Sequence, residues 1–176
     1  MAGPGVEIRP IDAAHARDAR LPNEPFELWG RMIPKLEDGV WSCRTEAVPE
    51  VSQMCFPDEN YDVASDDALF LGAYADGACV GLAVLRADMF RYLYLDDLKV
   101  CRAMRGRGVG GRLIDACMDE ARRRGQRGVY TIAQDNNLSA CLFYLKRGFE
   151  IGGFDNRCYR GTAQAHKANI YFYRDI

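Results

Sequence analysis

The segment richest in usable chemistry runs Leu98-Lys-Val-Cys-Arg-Ala-Met-Arg-Gly-Arg-Gly-Val-Gly-Gly-Arg-Leu113. Four glycines fall between Gly106 and Gly111, and Arg102, Arg105, Arg107 and Arg112 surround them. A strand-like run ends just before the glycines, and helical apolar spacing begins among them. The first amide N–H groups of a helix lack intrahelical partners, and the summed peptide dipoles add positive potential there. Glycine lets the backbone come close to an anion in conformations that a Cβ would forbid. The pattern predicts an anion cradle able to grip a pyrophosphate. On a plainer view the glycines only make a tight connection and the arginines face water; the strand before and helix after favour the cradle.

Gly106-Arg-Gly-Val-Gly-Gly111 also satisfies G-x-G-x-x-G, the fingerprint of a dinucleotide-binding domain. That fingerprint needs a parallel sheet and an acidic residue about twenty positions on. Asp135 stands near that distance, but a hairpin precedes the glycines and too little chain follows for a doubly wound sheet. No G-x-x-x-x-G-K-[ST] occurs, which excludes a nucleoside-triphosphate loop of that type.

The elements that must position this turn are legible on both sides of it. Val6 to Ile11 alternates like a first strand, and residues 12–25 read as loop or short helix. Phe26 to Ile33 and Val40 to Val48 flank Glu37-Asp-Gly39, which fits a hairpin, with a helix over the first half as the alternative. Ala68–Tyr74 and Ala78–Leu85, joined by Ala75-Asp-Gly77, predict a hairpin. Tyr92 to Cys101 is a further strand. Val109, Leu113, Ile114, Cys117, Met118 and Ala121 keep helical spacing up to Gly125. Gly128 to Gln134 returns to strand, Asn137 to Arg147 forms a second helix stopped by Gly148, and strands near Phe149–Phe154 and Ala168–Tyr173 follow. The order predicts a mixed α/β sheet in one domain over 1–176.

Composition narrows the classes. With 176 residues, 48% hydrophobic and 27% charged, the chain can bury a core without disulfides or metals. A net charge of -2 argues against a nucleic-acid partner. The start, Met1 to Pro10, has no apolar core of signal-peptide length and no run approaches a membrane span, so a cytoplasmic protein without a membrane partner is expected. Seven cysteines without C-x-x-C spacing read as reduced thiols, and His15 and His166 lie too far apart to suggest a metal site. No histidine is sequence-adjacent to activate Cys101 as a nucleophile.

Two motifs together resemble the GNAT N-acetyltransferase superfamily. Arg105-x-x-Gly108-x-Gly110 is similar to its R/Q-x-x-G-x-G/A signature, and Asn137-x-x-Ala140-x-x-x-Tyr144 with Lys146-Arg-Gly-Phe149 is similar to its second motif. The resemblance spans about residues 68–173. Within it, Glu24-Pro25-Phe26, Gly39-x-Trp41, Asp97 and Gly152-Gly-Phe-Asp-Asn-Arg-Cys-Tyr-Arg-Gly161 resemble streptothricin acetyltransferases.

The resemblance implies a mostly antiparallel sheet of six to seven strands flanked by helices, with a splayed strand pair beside acetyl-CoA as co-substrate and no metal. It implies that backbone from Leu98 to Val100 pairs with the pantetheine arm. Amides of Arg105, Gly106, Arg107, Gly108, Val109, Gly110 and Gly111 would then hold the pyrophosphate, and Asn137 would bond the arm. Asn137 equally suits a helix N-cap. Tyr144 would protonate the departing thiolate; its plainer role is packing beside Phe143. Asp96 and Asp97 are candidates for the base that frees the acceptor amine and for holding a cationic acceptor. The family favours Asp96 as base and Asp97 for binding, and solvated acids at a sheet end remain the alternative. Strand alternation lets only one point squarely into a site unless a bulge intervenes. Asp155 is a further candidate for the cationic acceptor, or a turn-making residue. Trp29, Trp41 and Tyr159 are candidates to line the acceptor cleft or to fill the core, with core first for the two tryptophans.

The implied activity is direct acetyl transfer in a ternary complex to a primary amine of a small cationic acceptor, the β-lysyl amine of streptothricin-type antibiotics. Polyamine, amino acid, aminoglycoside or protein-lysine acceptors stand as alternatives, as does a non-catalytic acyl-CoA-binding module. Monomer and homodimer are both open.

Overall fold

The computed structural model describes residues 5–176. The signal-peptide reading falls partly on residues 1–4, outside the described residues. In chain order the elements are β1 (Glu7–Pro10), a 3-10 segment (Ala13–Arg20), β2 (Phe26–Glu37), β3 (Val40–Met54), β4 (Leu69–Ala75), β5 (Ala78–Arg86) and β6 (Tyr92–Val100). A short 3-10 turn (Arg102–Met104) leads to α1 (Val109–Arg123), β7 (Gly128–Gln134), α2 (Leu138–Lys146), β8 (Glu150–Asp155) and β9 (Asn169–Asp175). Seven strands form a sheet in the order β1-β4-β5-β6-β7-β9-β8, and β2 and β3 form a separate two-stranded ribbon. The β1–β4, β4–β5, β5–β6 and β8–β9 pairs are antiparallel. The expected mixed, mostly antiparallel sheet flanked by helices is observed.

Two compact units can be distinguished. The first comprises residues up to Glu24, Cys55–Val129 and Ile176. Its β4–β5 hairpin closes on Asp76 and Gly77, both left-handed (φ 49° and 80°), the two-residue turn whose twist matches that of the strands. Leu82, Val84, Phe70 and Tyr61 cluster with Ile11 and Ala19. Helix α1 buries the stripe read from the sequence, with Leu113, Ile114, Cys117 and Met118 almost fully enclosed. Burying Leu, Ile or Met side chains this way contributes roughly 1.5–3 kcal/mol each. A Cβ added at Gly81 would meet the Leu113 side chain at 3.1 Å, so the small residue lets helix and strand approach.

The second unit comprises Pro25–Met54 and Tyr130–Asp175. The open choice over residues 26–48 resolves as a hairpin turning on Asp38 and Gly39 (φ 50° and 78°). It runs further than expected, with strands of 12 and 15 residues. A ribbon with only two strands has little to cover it. This accounts for one correction: Trp29 and Trp41 are half-buried and neither joins the buried core. Trp29 instead donates its indole N–H to Ser139 Oγ at 2.8 Å. Helix α2 packs on β2, where a Cβ on Gly30 would strike Glu46 O and Leu138 Cδ2 at 2.6 and 2.7 Å.

Candidate active site

In the first unit the chain leaves β6 at Val100 and makes the 3-10 turn over Arg102–Met104. Gly106 and Gly108 are left-handed (φ 74° and 83°). Gly108 caps α1 without any side-chain bond, and the first turn holds no acidic residue. The first intrahelical bond runs from Arg112 N–H to Gly108 O at 3.1 Å. The amides of Val109, Gly110 and Gly111 therefore stand at the head of the helix without intrahelical acceptors. Arg105 donates Nε–H to Val100 O at 3.0 Å, tying the turn to the strand end. Glu24 Oε2 accepts the Arg102 N–H at 2.6 Å. Arg107 and Arg112 are exposed. This is an electropositive corner made mainly of main-chain donors, suited to a diphosphate.

The two acids of β6 are separated by a bulge. Leu85 pairs with Leu95 and Val84 with Asp97, so Asp96 is the extra residue. Asp96 accepts from Arg86 Nε at 2.6 Å, and that bond holds the guanidinium above its ordinary pKa. Asp97 turns to the side chains of Tyr61, whose hydroxyl lies 3.4 Å away, and Lys99, whose Nζ lies 3.0 Å away. Burial, then the Asp97 carboxylate, push the Tyr61 phenol well up. Lys99 is 9% and Asp97 19% exposed at the side chain. Lys99 was not among the sequence candidates. Its signal was present: a residue two places along a strand from Asp97 shares its face.

In the second unit, Asn137 is the N-cap of α2, its Oδ1 accepting from Ala140 N–H at 3.2 Å. Tyr144 lies two helical turns further on, 8% exposed, its ring packed edge-on to Phe143 and Phe149 and tilted against Phe172. The aromatic shell fixes the ring. Asp155 Oδ1 accepts from Arg157 and Cys158 N–H at 2.7 and 3.1 Å, so it makes the turn after β8. The sequence also undervalued Asp135, weighed only for its distance from the glycines. It is 6% exposed, accepts from Ala168 N–H at 3.0 Å and faces Arg31 NH2 at 3.3 Å. The same Arg31 donates to His166 O at 2.9 Å. Ribbon, β7 end and the loop before β9 meet at this one carboxylate. Among the described residues no three His, Cys, Asp or Glu side chains gather to hold a metal.

A strand, a glycine turn with an uncapped helix behind it, and a second helix opened by Asn and carrying a buried Tyr are the parts of an acyl-CoA-dependent transferase. The model of the GNAT acetyltransferase family matches residues 33–149, and the chain belongs to that family. It is an N-acetyltransferase, and acetyl-CoA is the co-substrate of that class. The streptothricin acetyltransferase A of Bacillus subtilis strain 168 is 33% identical over 161 residues, covering 89% of this chain and 92% of that protein. A streptothricin acetyltransferase from Escherichia coli is 28% identical over 96% of this chain and 94% of its own length. Among solved structures, a Bacillus anthracis chain described as a streptothricin acetyltransferase, crystallised with acetyl-coenzyme A, superposes with a TM-score of 0.89. It is 26% identical and covers 98% of this chain and 100% of its own.

Proposed function

We propose that this enzyme acetylates the β-lysyl amine of streptothricin-type antibiotics, turning a cationic ammonium into a neutral amide. The observation that carries the reading is the B. subtilis relative, similar across nearly the whole of both chains. The uncapped, left-handed start of α1 supplies the physical support for the coenzyme.

In this reading the amides from Gly106 to Gly111 grip the diphosphate of acetyl-CoA, the Arg105 N–H being held by Arg102 O at 3.2 Å, and backbone of Leu98 and Val100 bonds the pantetheine arm, with Asn137 assisting. The neutral amine attacks the thioester carbonyl carbon, the C–S bond breaks, and the thiolate takes the phenolic proton of Tyr144. The ammonium proton leaves through water to Asp96, the more exposed of the pair at 30% against 19%. Asp97 and Asp155 add negative potential for the cationic acceptor. Asp97 already faces Lys99, so an acceptor ammonium has to share that carboxylate with the enzyme's own cation.

Free-thiol release from acetyl-CoA with a panel of amines tests the assignment. Turnover with streptothricin but not with spermidine, free lysine or an aminoglycoside is the expected result. Turnover with one of those amines alone would move the acceptor. Tight CoA binding without turnover on any amine would reduce the chain to a binding module.

A further inference from the structure

Gln134 ends β7, and the acetyl-transfer steps leave it without a role. Its main-chain carbonyl accepts the Asn137 N–H at 3.0 Å and lies 3.6 Å from Cys141 Sγ, so the opening of α2 fixes where the residue stands. Its side chain begins a relay that runs one way. Nε2 donates to Tyr159 Oη at 3.0 Å, and that hydroxyl donates to Asn169 Oδ1 at 2.9 Å. A phenol has a single proton to give, so with that proton on Asn169 it can only accept from Gln134. The amide is thereby oriented, and Oε1 is the end left over. That oxygen is enclosed and has no hydrogen-bond donor within reach among the described residues. Leaving a buried carbonyl oxygen without a donor is costly, which disposes it to take one from outside the chain.

The surroundings select the kind of donor. Tyr130 of β7 stacks on Tyr173 of β9 with ring centroids 5.4 Å apart, so the two share a face of the sheet. By alternation Gln134 joins Tyr130 on that face, and Asn169 and Tyr171 join Tyr173. Phe172 turns to the opposite face, where it is buried against Tyr144 of α2. Gln134, Asn169, Tyr171 and Tyr173 are only half-buried, so their face is not closed. Asp155 of β8 is the register partner of Asn169, which brings its carboxylate to the same side. The Tyr171 phenol is raised above its ordinary pKa by burial and then by the charge of Asp155, with Tyr159 a smaller contributor. Gly152, at the register shift of β8, is needed here as well: a Cβ would strike the Tyr173 ring. A carboxylate, phenol rings and an orphan carbonyl oxygen together suit a cationic N–H donor.

We propose that Gln134 is a specificity-determining residue of the acceptor site: its Oε1 receives an N–H of the cationic acceptor, with the Asp155 carboxylate supplying the balancing charge. Tyr159 and Asn169 are positioning residues, holding the amide so that its oxygen and not its nitrogen meets the acceptor. The proposal deepens the acetyl-transfer reading and rests on it.

Initial rates of the full chain with streptothricin and acetyl-CoA test it. Gln134→Leu keeps the bulk and removes the oxygen. It should raise the KM for streptothricin about tenfold and leave kcat and the KM for acetyl-CoA nearly unchanged. Gln134→Glu keeps an acceptor oxygen and adds charge. It should bring the KM for streptothricin below the native value, which keeps the test open if the leucine variant does not fold. Tyr159→Phe frees the amide without removing it and should raise the same KM by less than Gln134→Leu does. A Gln134 with only a structural part would shift the melting temperature and leave the KM for streptothricin where it was; that result overturns the proposal. So does a loss that falls on the KM for acetyl-CoA, which would put the oxygen on the coenzyme, or a Gln134→Glu variant that binds streptothricin no better than the native chain. If the native chain acetylates another amine of the panel, the same variants are read on that amine, so the acceptor assignment and the role of Gln134 fail separately. A chain that acetylates no amine overturns both.

Discussion

The hydroxyl of Tyr144 can be removed without disturbing the ring, because three aromatic neighbours hold it. Tyr144→Phe is therefore expected to lower kcat about 100-fold while leaving the KM for acetyl-CoA nearly unchanged. Weakened coenzyme binding instead would assign the hydroxyl to recognition. A second expectation concerns the Asp97–Lys99 pair. Asp97→Asn leaves a largely enclosed ammonium with only the long contact to Asn23 Oδ1 at 3.4 Å among the described residues, at a cost of roughly 1–3 kcal/mol in denaturant unfolding. Asp97→Asn/Lys99→Met removes both charges and should recover most of that loss; if it adds a second loss, Lys99 has another partner that matters more. Individual residue types were readable where the chain's own chemistry marks them, as with Asn137 and the glycines. The partners of Asp96 and Asp97 were not, because Arg86 and Tyr61 arrive from other segments and the bulge that separates the acids leaves no mark in the alternation.

At the scale of elements, the start of α1 depends on a glycine in a conformation that other residues adopt at a cost. Open space surrounds the position, so Gly108→Ala meets no clash. It should still destabilise by about 1–2 kcal/mol through the left-handed backbone, and it should raise the KM for acetyl-CoA by realigning the amides. Calorimetry and initial rates check the two effects separately. The helix itself was legible in full, since a stripe at 3.6-residue spacing between Gly108 and Gly125 has few other solutions. The β2–β3 ribbon was legible in its turn and in where each strand begins, but not in its length. β3 buries little on either face and β2 fully buries only Gly30 and Met32, so polar and apolar residues follow no period that would reveal the strands' length.

For the whole molecule, thiol chemistry reports how tightly the interior is closed. Cys43, Cys55 and Cys158 are exposed, whereas Cys117 and Cys141 are buried. Burial pushes both buried thiols from an ordinary 9.0 up to about 12. At pH 8 a disulfide reagent should label the three exposed thiols promptly and the buried two only on unfolding. Rapid labelling of Cys117 would mean that α1 opens readily. The sign for stability follows from the same shift. The unfolded chain gives up these protons from about pH 9 and the folded chain holds them to about 12, so stability is intact below pH 9 and falls as pH rises between those values. Melting temperature against pH measures it. The depth of Cys117 was legible from its place in the apolar stripe of α1, whereas the cysteines outside the helices carry no such mark.

The second unit is discontinuous: Pro25–Met54 leaves the ribosome early, and Tyr130–Asp175 comes last. Asp135, the carboxylate that ties Arg31 to the rest, belongs to the late part. At about 5–20 residues per second, the nascent ribbon waits several seconds for the contacts that secure it. During translation this segment is the chain's most vulnerable point, open to proteases and chaperones alike, and stalled synthesis before Tyr130 should release a fragment that is cleared rather than stored.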